Sequence, residues 1–127
     1  IHMELKNLNT SSLEEAYSII DNNENVIVIW FDENCPSCGQ LVPIAQECAV
    51  EPWNLVLINT SKSYTDSVDY FYPDKFPTVY IFKNKKRMFV TLGAAPKAII
   101  QETLDGILDG SFKTAAEFEQ EMLDALD

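Results

Sequence analysis

The chain is poor in the residues that build metal centres and disulfide frameworks: it has three cysteines and one histidine, His2. Three cysteines make no disulfide framework, so a reducing compartment, the cytoplasm, is the default expectation. Ile1 and His2 ahead of Met3 read as a cloning remnant, which makes the imidazole foreign and allows that an export signal was trimmed. Glycine is scarce at four residues, which excludes a collagen-like chain, and there is no internal repeat or low-complexity tract. No apolar run approaches the length of a membrane span. Basic residues are few as well, nine against twenty acidic, for a net charge of −11. A general nucleic-acid binder needs Lys and Arg to displace counterions from phosphates, and an anionic membrane surface makes the same demand. Neither is an expected partner. Four of the nine basic residues fall within Lys83 to Arg87, which reads as a solvated hairpin turn.

What is present is a globular composition: 127 residues, 46% hydrophobic and 11% aromatic. That suits one domain over residues 1–127 with one hydrophobic core. Met3 to Leu8 reads as a short edge strand. In "TSSLEEAYSII", Ser11 with Glu14 or Ser12 with Glu15 makes a capping box, and Leu13, Ala16, Tyr17 and Ile20 recur at helical spacing. "NVIVIWF" is a continuous β-branched and aromatic run, the pattern of a strand covered on both faces. A second helix opens at the cysteines and runs to about Ala49, with Leu41, Ile44, Ala45 and Cys48 inward. "WNLVLINT" is another buried strand. "SYTDSVDYFYP" reads as a short helix carrying Tyr64, Val68 and Phe71 and ended by Pro73; these aromatics, with Tyr72, are expected at core and rim. "PTVYIF" and "RMFVTL" flank "KNKK" as a hairpin. "APKAIIQETLDGILDG" is a helix with Pro96 in its first turn and Gly110 as its stop. An additional C-terminal helix within residues 111–127, from Thr114 to Leu126, is expected to dock its Phe118 and Met122 face on the domain. Strands alternating with helices, then a hairpin, imply an α/β fold with a central mixed sheet flanked by helices.

The chemistry concentrates in "WFDENCPSCGQLVP". Zinc takes four ligands, and one cysteine pair with a distant Cys48 does not supply them, so no metal and no bound cofactor is expected. A disulfide between residues three apart closes almost no loop and adds little stability. Redox chemistry remains. A strand that turns at once into a helix puts Cys35 at the helix N-terminus, where unsatisfied N–H groups and the helix dipole favour a thiolate. Pro36 fits the first turn because its missing N–H had no partner there. Cys38 lies one turn further in and less exposed, so the outer sulfur attacks and the inner one resolves. Pro43 falls in mid-helix and should kink it. Pro77 in "KFPTVYIF" is compatible with an ordinary strand start or with a cis bond. Cys48 falls on the apolar face of its helix and reads as core.

The set "WFDENCPSCGQLVP", "FPTVYIFKNKK" and "TLGAAPK" resembles the thioredoxin family in order and spacing over roughly residues 4–109, with the final helix outside. The resemblance implies a thioredoxin fold with Cys35 as nucleophile and Cys38 as resolving thiol. It implies a cis Phe76–Pro77 bond packed against them, and a Gly93 that lets substrate approach. Trp30, Asn34, Pro36 and Ser37 join the site as supporting residues, and the Phe76 backbone would pair with an extended substrate segment. Disulfide-containing proteins are the implied substrates, a reductase of the thioredoxin reductase kind the implied electron donor, and a monomer the implied state. The pattern departs from the family in three places. The family's usual Cys-Gly-Pro-Cys, preceded by tryptophan, is here Cys-Pro-Ser-Cys preceded by Asn34. The buried aspartate six residues before the first cysteine is Ile29. A buried lysine often found in the next strand is missing from "NLVLINT". With no carboxylate at Ile29, water, Asp32 or Glu33 is left to take the Cys38 proton.

The leading expectation is therefore a thiol–disulfide oxidoreductase acting on protein disulfides. Pro36 after the first cysteine is also glutaredoxin-like, which keeps a glutathione-linked reductase as an alternative, although no clear Gly-Gly plus acidic pair is found. A protein-binding scaffold that uses the acidic C-terminal helix is the alternative from a different class.

Overall fold

A computed structural model of the chain describes residues 7–10, 13–60 and 75–126. Its elements run β1 (Asn7–Thr10), α1 (Leu13–Asn22), β2 (Asn25–Phe31), α2 (Pro36–Cys48), β3 (Asn54–Asn59), β4 (Thr78–Lys83), β5 (Lys86–Leu92), α3 (Lys97–Asp109) and α4 (Ala115–Ala125). The Ser11/Ser12 capping box and the helix expected around Tyr64, Val68, Phe71 and Tyr72 lie outside the described residues.

The strands form one sheet in the order β1-β3-β2-β4-β5. The pairs β1·β3 and β3·β2 are parallel, and β2·β4 and β4·β5 antiparallel. This is the mixed α/β sheet expected from the alternation of elements. β2 is its centre because "NVIVIWF" is apolar at every position except its first, so both faces can be buried. Strand alternation then sorts the side chains. Ile27, Ile29, Leu55, Leu57, Val79 and Ile81 face a layer formed with Leu41, Ala45 and Cys48 of α2 and Ile100, Leu104 and Ile107 of α3. Val26, Val28, Trp30, Val56, Ile58, Tyr80 and Phe82 face Ala16, Ile19 and Ile20 of α1. Each fully buried Ile, Leu or Val here contributes roughly 1.5–3 kcal/mol of transfer free energy.

The hairpin closes through Asn84 and Lys85, both at positive φ (51° and 70°), which suits a two-residue turn matched to the twist of its strands. Lys83 of this basic cluster reaches Glu24 at 3.8 Å, and the Arg87 guanidinium lies 5.1 Å from the Tyr80 ring centre. Pro96 is the N-cap of α3, one position earlier than expected, and Gly110 ends that helix in the left-handed region at φ 82°. α2 continues through Pro43 to Cys48. Cys48 is 1% exposed, in the core as expected.

The C-terminal helix forms but does not dock. Thr114 and Glu117 make a complete capping box, and Lys113 pairs with Glu121, yet no residue of α4 is buried. Phe118, Met122 and Leu123 are each more than half exposed, which corrects the expected docking of that face. The segment just before α4 does pack on the domain. Phe112 meets Phe89 edge-on at 6.2 Å and donates its N–H to the Gly106 carbonyl at 2.9 Å. The periodicity of α4 was legible, but periodicity does not say whether a surface waits for it.

Candidate active site

The site begins where β2 ends. Thr60, just past β3, gives both its N–H and its hydroxyl to the Phe31 carbonyl, each at 3.0 Å, and so fixes that strand end. Asp32 then builds the turn. Its carboxylate accepts the Asn34 N–H at 2.8 Å, and its carbonyl accepts the Cys35 N–H at 3.1 Å. Glu33 is held by the Asn59 side-chain amide at 2.8 Å. These contacts deliver Cys35 in an extended conformation (φ −99°, ψ 110°) as the N-cap of α2, with Pro36 opening the helix.

Cys35 fills the role that Ser, Asp or Asn usually takes at such a position. Its sulfur accepts the Cys38 N–H at 3.3 Å, approaches the Ser37 hydroxyl at 3.4 Å and lies 3.6 Å from the Phe76 carbonyl oxygen. Burial alone would raise its pKa. Hydrogen bonds from the Cys38 thiol, the Ser37 hydroxyl and the backbone of both residues outweigh burial and hold Cys35 below the ordinary thiol value. Cys38 goes the other way. It is 1% exposed, and burial, its thiol's donation to Cys35 and the nearby charges of Cys35 and Asp32 push it to about 11. A backbone hydrogen bond from Asp32 opposes that rise. One accessible low-pKa sulfur beside one buried high-pKa sulfur is an arrangement able to attack a disulfide and then resolve the product.

The structure brings Cys35, Pro36, Ser37 and Cys38 together with the Phe76–Pro77 turn. That peptide bond is cis, and Pro77 is buried. Asn34 is exposed and supports the site only through its N–H on Asp32. Gly93 (φ 102°) sits behind Pro77 and donates to its carbonyl at 2.7 Å; it does not line the cavity beside the cysteines. Trp30 is a correction. Its side chain is fully buried on the opposite face of the sheet, among α1 residues, because it alternates away from Ile29 and Phe31. Phe31 is the aromatic at the site. With Asp32, Glu33, Gly39, Val42, Pro43 and the two cysteines it lines an open cavity of about 270 Å³. Strand alternation from Ile29 was enough to choose Phe31 over Trp30. Asn59, seen only as a polar end to an apolar strand, could not be paired with Glu33 from sequence.

Among the described residues no group of three or more His, Cys, Asp or Glu could hold a metal ion, and no helix is long and apolar enough to cross a membrane.

A mixed sheet that presents an accessible and a buried thiol at one helix N-terminus, against a cis-proline turn, defines a dithiol–disulfide exchange protein. The family model Thioredoxin matches residues 5–106. A thioredoxin of Pyropia yezoensis is 32% identical over 90 residues, 68% of this chain and 83% of that protein. Thioredoxin 1 of Plasmodium falciparum is 32% identical over 92 residues, 72% and 88% of the two chains. Among solved structures, a mutant thioredoxin from Halobacterium salinarum superposes with a TM-score of 0.69 at 15% identity, covering 80% of this chain and 89% of its own. The chain belongs to the thioredoxin family and is a thiol–disulfide oxidoreductase.

Proposed function

We propose that Cys35 is the nucleophile and Cys38 the resolving thiol of a protein-disulfide reductase. The observation that carries this reading is the asymmetry of the pair. Cys35 is reachable and its sulfur accepts the Cys38 N–H at the N-cap of α2, whereas Cys38 is buried and its pKa is pushed up to about 11. The Cys35 thiolate attacks one sulfur of a substrate disulfide and expels the other as a thiolate. Cys38 then loses its proton and attacks Cys35 in the mixed disulfide. The substrate leaves reduced, and the protein holds a Cys35–Cys38 disulfide.

Ser37 and the Cys38 N–H stabilise the attacking thiolate, Pro36 starts the helix, and the Phe76–Pro77 turn is the platform for the substrate backbone. Electrons return from a reductase of the thioredoxin reductase kind. The working unit is a monomeric domain in a reducing cytoplasm, with α4 as an appendage outside the family match. The scaffold reading is tied to α4 alone, and the glutathione-linked reading has no glycine pair to support it. Catalysed reduction of a protein disulfide such as insulin's, abolished by Cys35→Ser and stalled by Cys38→Ser, tests the assignment.

A further inference from the structure

Resolution poses a proton problem in this chain. Burial holds the Cys38 thiol above its ordinary pKa, so it is protonated at neutral pH and must lose that proton before it can attack. Ile29, which holds the position where the family usually has a carboxylate, is fully buried in the apolar layer under α2. The acceptor must come from elsewhere.

Among the described residues, the charged and titratable groups around Cys38 are few. The Cys35 thiol is used up in the mixed disulfide. From the turn after β2 come Asp32 and Glu33, which line the same cavity as Cys38. The other lining residues, Phe31, Gly39, Val42 and Pro43, carry no charge. The Phe76–Pro77 turn offers Cys35 a carbonyl oxygen. The charged residues of α3 nearest the thiols, Lys97 and Asp105, lie around Cys48.

Of the two carboxylates, Asp32 is the better placed. It shares the cavity with Cys38 and its charge acts on that thiol, whereas Glu33 is drawn aside by Asn59. Asp32 is half-buried, and the Asn34 N–H occupies one carboxylate oxygen. The other oxygen is left for a proton.

We propose that the Asp32 carboxylate is the proton acceptor for Cys38 during resolution, taking over the role left vacant at Ile29. This rests on the assignment of Cys35 as nucleophile. The Cys38 S–H proton passes to Asp32, directly or through one water in the cavity. The thiolate attacks the Cys35 sulfur, the Cys35–Cys38 bond forms, and the bond from Cys35 to the substrate sulfur breaks to release the substrate thiolate. The transfer also removes the like charge beside the new thiolate, because a protonated Asp32 is neutral.

Single-turnover reaction of the reduced, full-length protein with a symmetrical aryl disulfide separates the steps. The first aryl thiolate released reports attack by Cys35, and the second reports resolution by Cys38. For Asp32→Asn the first phase stays within about twofold of wild type, and the second slows by about 10²-fold near neutral pH, the usual scale of a lost general base. The slowed phase climbs with pH toward the Cys38 pKa, Asp32→Glu restores part of the rate, and Glu33→Gln changes it little. A purely electrostatic role gives the opposite sign: removing a negative charge would lower the Cys38 pKa and speed resolution. An Asp32→Asn second phase as fast as wild type, or faster, overturns the proposal, as does an equal loss in both phases. A missing first phase in wild type sinks the Cys35 assignment instead.

Discussion

The Cys35 sulfur lies 3.6 Å from the Phe76 carbonyl oxygen, across 41 positions of sequence. A thiol can donate to that carbonyl, but a thiolate cannot. Ionisation of Cys35 therefore creates the nucleophile and, in the same event, ends its own donation to the Phe76 carbonyl, on the turn proposed as the platform for the substrate backbone. The other contacts of the sulfur, the Cys38 N–H and the Ser37 hydroxyl, can both donate and so persist in the thiolate.

Ser37→Ala removes one of those donors. A single hydrogen bond of about 0.5–1.5 kcal/mol corresponds to a rise of about half to one unit in the Cys35 pKa. Because the thiolate loses a partner and the thiol does not, the shift is upward, and less thiolate is present at neutral pH. The pH dependence of Cys35 alkylation in the reduced protein measures it. An unmoved inflection would show that the Ser37 hydroxyl does not help to set the value.

Ile29→Asp places a carboxyl in the apolar layer beneath α2. Burying it without a built partner costs about 2–5 kcal/mol, readable as a lower urea midpoint. In the protein that still folds, a buried acceptor should release substrate from the mixed disulfide faster at neutral pH than the half-exposed Asp32 does. Unchanged release from folded Ile29→Asp would mean that proton transfer from Cys38 does not limit the step.

Removal of residues 114–127 deletes α4 but keeps Phe112 on Phe89. Since no α4 residue is buried, the expected loss is less than about 1 kcal/mol, and reduction of insulin continues at the full-length rate. A collapse in melting temperature would mean that α4 packs on the domain. Loss of activity in a folded truncation would place it in the site.

Much of this was legible in the sequence because it is local. The apolar run of β2 fixed its central place, Pro36 and the strand end marked the start of α2, and the Asn-Lys turn closed the hairpin. The packing of the Phe76–Pro77 turn against Cys35 is not local, and only the resemblance to thioredoxins implied it. What was not legible depends on the far side of a contact. α4 carries an apolar stripe whose missing partner no pattern within the helix could reveal. Glu33 and Asn59 are 26 residues apart and meet only because β2 and β3 are parallel neighbours.

The division of labour between the two sulfurs is tested most directly by trapping. Cys35→Ser and Cys38→Ser proteins, each reduced and mixed with a disulfide-bonded protein substrate, are quenched by acid and weighed as intact species by mass spectrometry. The account predicts a stable mixed disulfide through Cys35 in the Cys38→Ser protein and none in the Cys35→Ser protein. Equal trapping by the two variants, or trapping through Cys38 alone, would contradict it.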